Sequence, residues 1–140
     1  MTTLGLNHIN LRAHRMLLDS LRDFYCEVLG FRQGYRPEFP SFGYWLYAQE
    51  TAVIHLSEAK ISEERMLHND GYLDHFAFEC SELAEVEQTL QSHGIDYRKM
   101  QVPLTEQIQL FIQDPAGNNV ELNFVMAGKQ KTPSVQSTLM

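Results

Sequence analysis

Four side chains able to ligate a metal recur in a repeated pattern. The stretch Leu6-Asn7-His8-Ile9-Asn10-Leu11-Arg12-Ala13 is restated 67 residues later as Leu73-Asp74-His75-Phe76-Ala77-Phe78-Glu79-Cys80. Each copy puts a histidine on an alternating, strand-like segment that feeds a helix. Each copy also ends in a second alternating strand with a further donor, His55 in Val53-Ile54-His55-Leu56 and Glu121 in Asn119-Val120-Glu121-Leu122. Imidazoles and one carboxylate meeting at a point suit a borderline divalent ion: Zn, Ni, Fe or Cu from the imidazoles, Mn or Fe(II) once the carboxylate joins. Two histidines and one carboxylate would leave neighbouring positions open for a ligand offering two oxygens. A single strand histidine is ordinarily structural and a late-strand glutamate ordinarily solvated. The repeat alters that weighing, because it sets all four donors at equivalent places. Glu121 lies between Val120 and Leu122 on what the pattern makes an interior face, where an unpaired carboxylate is very costly. A cation is the simplest compensation, and pairing with Arg12 is the competing one.

The elements that must position these donors follow from periodicity. Residues 4–12 alternate His8, Asn10 and Arg12 on one face with Ile9 and Leu11 on the other, as a half-buried strand does. Leu17, Leu21, Phe24, Tyr25 and Val28 recur at helical spacing up to Leu29, with Gly30 as a left-handed C-cap. Phe31 to Tyr35 reads as a short strand, and Tyr44 to Gln49 with Ala52 to Ser57 as a hairpin. The second half repeats the plan. A strand spans 73–80, and a helix marked by Leu83, Val86 and Leu90 is capped by Ser81 and ended by Gly94. Extended chain follows from 95 to 102, then strands at 108–113 and 119–125 around the turn Asp114-Pro115-Ala116-Gly117. The predicted fold class is α+β: two βαβββ modules in pseudo-twofold repeat forming an open, cup-shaped mixed β-barrel with helices outside. Apolar strand faces would turn to the helices. Asn10, Arg12, Trp45, Tyr47, Phe111 and Asn123 would turn into the cup with the donors, together with Gln109; Trp45 and Phe111 are equivalent by the repeat.

A chain of 140 residues is a single-domain length. The expected organisation is one domain over 1–127, with module one at 4–58, a polar connector at 59–71, module two at 72–126, and a polar tail at 128–140. A formal charge of -7 without a Lys/Arg cluster argues against nucleic acid and against anionic membrane surfaces. No apolar run approaches the roughly 20 residues of a membrane span, and no export signal is read at the start. Cys26 and Cys80 lack metal-like spacing and read as reduced, small hydrophobes of a cytoplasmic protein. A small-molecule substrate is the expected partner. His14, His68 and His93 fall in connectors or at a helix end, where solvent exposure is expected.

The chain resembles the vicinal oxygen chelate superfamily of glyoxalase I, fosfomycin-resistance enzymes, bleomycin-resistance proteins and extradiol dioxygenases. The resemblance covers about residues 4–126. It rests on Leu6-Asn7-His8-Ile9, on Phe24-Tyr25-Cys26-Glu27-Val28-Leu29-Gly30-Phe31, on Leu73-Asp74-His75-Phe76-Ala77-Phe78, and on Asp114-Pro115-Ala116-Gly117-Asn118-Asn119-Val120-Glu121-Leu122. The resemblance implies one divalent metal ion (Fe, Mn, Zn or Ni) on His8, His75 and Glu121. His55 is the informative departure. Glyoxalase I usually has Glu or Gln there as a fourth ligand, whereas extradiol dioxygenases carry a histidine there that acts as acid or base. Those dioxygenases usually have Tyr where Phe111 stands. Fosfomycin-resistance enzymes share the three ligands, but no Ser/Gly-rich potassium loop lies between Gln101 and Ile108, and bleomycin-binding members generally lack the ligand triad.

The function so implied is a metal-dependent enzyme chelating a small substrate through two vicinal oxygens, dioxygenase-like in its lead form. A glyoxalase I-like lyase and a non-catalytic drug- or metabolite-binding protein are the alternatives. His55 would be the catalytic acid or base, while Arg12 and Tyr47 position an anionic or aromatic substrate. Relatives of this length often exchange modules between chains, and the connector is long, so a homodimer is expected.

Overall fold

The computed structural model of the chain describes residues 1–68 and 71–126. The expectations placed on the tail at 128–140 lie outside the described residues. The fold is α+β, made of two βαβββ modules. In chain order the elements are β1 (Ile9–Ala13), α1 (Arg15–Asp23) continuing as a π-helical turn (Phe24–Val28), β2 (Arg32–Gly34), β3 (Gly43–Ala48) and β4 (Thr51–Glu58). Then come β5 (Phe76–Cys80), α2 (Leu83–Ser92), β6 (Arg98–Gln101), β7 (Gln107–Gln113) and β8 (Asn119–Val125). The strands form two four-stranded sheets of identical order, β1-β4-β3-β2 and β5-β8-β7-β6. By contact the chain divides into one unit of Met1–Asp70 with Asp114–Asn118, and a second of Gly71–Gln113 with the chain from Asn119 onward.

In the first unit β1 runs parallel to β4, with Asn10 opposite His55 and Arg12 opposite Ser57; β3 runs antiparallel to β4, with Trp45 opposite His55. A crossover helix must link parallel neighbours, and α1 lies on this sheet. Its inward stripe, Leu18, Leu21, Phe24, Tyr25 and Val28, is buried with Leu46, Ile54 and Leu56 of the sheet. Full burial of each such aliphatic side chain is worth about 1.5–3 kcal/mol. Along the end of this stripe the helix changes pitch. Leu29 N–H bonds back to the Phe24 carbonyl, an extra-residue turn in which Phe24, Tyr25 and Val28 are buried. Phe31 N–H then bonds to the Tyr25 carbonyl around Gly30 at φ +78, the left-handed ending that glycine allows.

In the second unit the register repeats. Ala77 and Glu121 are opposed across β5 and β8, and Phe111 and Glu121 across β7 and β8. Leu110, Ile112, Val120, Leu122 and Phe124 are buried. Phe111 on Glu121 therefore copies Trp45 on His55, as the repeat requires.

Several local expectations are corrected. The first strand begins at Ile9 rather than residue 4, and β5 begins at Phe76 rather than 73, so His8 and His75 each stand one residue before a strand. Leu4, Leu6 and Leu73 are exposed; alternation describes a segment's own faces, whereas a strand needs a hydrogen-bonding neighbour. Ser81 is not the cap of α2. That position falls to Glu82, which is left-handed (φ 63) and makes no side-chain capping bond. On β3, where the alternation would set Leu46 and Ala48 on one helix-facing side, only Leu46 is buried and Ala48, beyond a register shift between Leu46 and Tyr47, is exposed.

Candidate functional site

The donors gather in two groups, one in each unit. In the second unit His75 Nε2 stands 3.2 Å from Glu121 Oε1. The ring's other nitrogen, Nδ1, is 2.7 Å from Asp74 Oδ2. A carboxylate can only accept, so Nδ1 carries a hydrogen; Nε2 faces Glu121, to which it donates in the imidazolium, while in the neutral ring its lone pair is open to a cation held between the two. The same bond to Asp74 holds the His75 pKa above its ordinary value. Glu121 is only 8% exposed although both its strand neighbours are core residues. Its Oε2 accepts from Gln109 Nε2 and Asn123 Nδ2, each at 2.8 Å, while Oε1 is left toward His75.

In the first unit His8 and His55 stack with ring centroids 3.7 Å apart and planes 16° from parallel, and Trp45 stacks on the other side of His55 at 3.9 Å. His8 repeats the arrangement of His75, with Nδ1 2.7 Å from Asn7 Oδ1. Since that amide oxygen also accepts, His8 too keeps Nε2 free. His55 donates from Nε2 to the Ala52 carbonyl at 3.1 Å, leaving Nδ1 as its acceptor. Burial, and then the neighbouring His8, hold the His55 pKa below its ordinary value. Imidazole lone pairs lie in the ring plane, so two nearly parallel rings direct them side by side rather than to a common ion.

The remaining expected site residues are held as follows. Arg12 makes a two-pronged bond to the connector carboxylate Glu63 and touches Ser57 Oγ at 3.3 Å, so its charge is already matched within the first unit. Glu63 in turn accepts from Lys60 N–H and Arg65, and Arg12 foremost holds its carboxyl well below the usual range. Asn10 accepts from Ser57. The Tyr47 hydroxyl is spent on the Tyr35 carbonyl at 2.7 Å. Phe111 lies beneath the Arg98 guanidinium at 4.2 Å. Asn123 supports Glu121 and accepts from Gln107. His14, His68 and His93 are exposed. Among the described residues no three His, Cys, Asp or Glu side chains form one metal-holding group.

Sequence reasoning set Gln109 in the cup without giving it a role, and passed over Asn7, Asp74 and Glu63. Asn7 and Asp74 were legible, since each immediately precedes a repeated histidine. Nothing in the polar connector singled out Glu63.

A family model described as the Glyoxalase/Bleomycin resistance protein/Dioxygenase superfamily matches residues 5–122. The chain belongs to this superfamily. Among curated relatives of this superfamily member is a protein named Glyoxylase I 4 from Arabidopsis thaliana, 32% identical over 125 residues that are 84% of this chain and 69% of the relative. A glyoxalase family protein from Bacillus anthracis shares the fold at 22% identity and TM-score 0.70, over 90% of this chain and 98% of that one. A fosfomycin resistance protein from Listeria monocytogenes does so at 18% identity and TM-score 0.64, over 90% and 97%. Among the described residues, no helix of this superfamily member is long and apolar enough to cross a membrane.

Proposed function

We propose that the chain is a divalent-metal-dependent enzyme that takes a small substrate through two vicinal oxygens, with His8, His75 and Glu121 as the protein ligands. One observation carries the reading: a buried carboxylate faces an imidazole Nε2 at 3.2 Å, with the carboxylate's other oxygen and the ring's other nitrogen already bonded. Two donors bound to one ion at about 2.0–2.2 Å each stand at such a separation, so the pair fits a cation. The ion, when bound, would polarise substrate oxygens and stabilise developing negative charge on them.

The chain's own residues supply the rest. His55, neutral near pH 7 with Nδ1 as acceptor, takes a proton from the substrate, and the Trp45 and His8 rings on its two faces hold its plane. Phe111, Asn10 and Tyr47 form walls, and an anionic substrate group would exchange with Glu63 on Arg12. The stacking of His55 on His8 favours the acid/base role over a fourth ligand, and with it the dioxygenase-like form. The Arabidopsis relative's name favours a second reading, a glyoxalase I-like lyase. Metal analysis of protein purified without chelators, followed by oxygen uptake on catechols, tests the proposal. Bound metal with oxygen uptake is expected. Turnover without oxygen uptake would give the lyase reading, and metal-free protein that still sequesters an aromatic ligand would give the binding protein.

A further inference from the structure

We infer that Asp74 is a positioning residue for metal binding and that the second unit's His75–Glu121 pair sets the affinity; this rests on the metal reading above. The bond from His75 Nδ1 to Asp74 Oδ2 fixes both the tautomer and the ring's rotation, which is what the partner of a ligating imidazole contributes. Asp74 is itself placed by the fold. Its carbonyl accepts from Asn119 Nδ2 at 3.1 Å, and Asn119 Oδ1 accepts from Gln113 Nε2 at 3.0 Å, which ties the segment before β5 to the start of β8 and the end of β7. Glu121 is fixed independently by Gln109 and Asn123 on Oε2. The other polar atoms of the pair are thus engaged elsewhere, and Nε2 and Oε1 are left to each other at 3.2 Å.

The first copy provides the control. Asn7 makes the same 2.7 Å bond to His8, but with a neutral oxygen. A carboxylate in that place strengthens the ring as an electron donor as well as orienting it, whereas an amide only orients it. Moreover, the first unit's place equivalent to Glu121 holds His55 rather than a carboxylate.

The test titrates cobalt(II) into the full chain against a chromophoric chelator, alongside long-range nitrogen–proton NMR of the histidine side chains in metal-free protein. Asp74→Ala should weaken Co(II) binding by about 10–100-fold, the usual cost of losing such a partner. The same variant should abolish the Nδ1–H preference of His75. Asp74→Asn, copying the first unit, should keep the tautomer and lose less affinity. The Asp74 side chain is 84% exposed, so both variants should fold. Co(II) affinity unchanged in Asp74→Ala, or equal losses in the two variants, would overturn the inference alone. A wild-type chain that binds no Co(II) would overturn the metal reading and the inference with it.

Discussion

The Tyr25 hydroxyl donates a 2.6 Å hydrogen bond to Asp114 Oδ2 across 89 residues of sequence. Tyr25 is fully buried at the inward-turned end of the first helix, and Asp114 is buried in the turn between β7 and β8 that clusters with the first unit. Asp114 Oδ1 also accepts from the backbone N–H groups of Ala116 and Asn118, and Oδ2 from the Asn118 side chain. The π-helical turn and the Asp-Pro-Ala-Gly turn are therefore anchored on each other.

Replacing Tyr25 with Phe should destabilise the chain by about 1–3 kcal/mol, the range for losing a buried hydrogen bond to a charged group. Urea denaturation should show a lower midpoint at unchanged slope. An unaltered midpoint would mean that the bond adds nothing to stability.

The same bond predicts an alkaline limit. Burial, and then the Asp114 charge, hold the Tyr25 pKa well above its ordinary value, and burial pushes the Cys80 thiol up to about 11. Both groups are kept neutral in the native state, so their contribution is whole below their unfolded pKa values and is lost as pH rises past them. Unfolding temperature should fall from about pH 9 upward, the cysteine range first and tyrosine from about pH 10. Tyr25→Phe should flatten the upper part of that fall.

At low pH the connector should loosen first. Glu63 is ionised in its bond with Arg12 and its pKa is depressed, so the stabilisation is present above the unfolded value of about 4.3 and is lost as pH falls below it. Protease nicking between residues 59 and 68 should increase as pH drops from 5 to 3, assayed with an acid-active protease. In Glu63→Gln the nicking should already be high at pH 5. Equal nicking of both proteins at every pH would sink this prediction.

His55→Ala should leave metal binding in place and reduce turnover by about 10²–10⁴-fold, the usual loss with a general acid or base. Loss of metal together with activity would instead make His55 a fourth ligand. Full activity would remove it from both mechanisms.

A homodimer is the expected assembly, with sites contributed by both chains. Light scattering at micromolar concentration on metal-loaded protein should give twice the chain mass of 16.2 kDa. A monomeric mass with metal retained would rule this out.

The sequence alone determined the repeat, the order of elements and the inward faces of β4, β7 and β8. The 67-residue offset between His8 and His75 and the equivalence of Trp45 with Phe111 follow from it, because period and equivalence are properties of residues along one chain. Tertiary structure decided what each side chain holds. Arg12 could have met Glu121 or a substrate and instead meets Glu63, a residue of a connector without periodicity. His8 and His55 could have shared an ion, yet their rings stack. The change of pitch at Phe24 has no local sign, since Leu21, Phe24, Tyr25 and Val28 keep ordinary helical spacing in the sequence. A hydrogen-bond partner or a stacked ring is chosen among groups far apart in sequence, by where the folded backbone sets them, and alternation along a strand is silent about that choice.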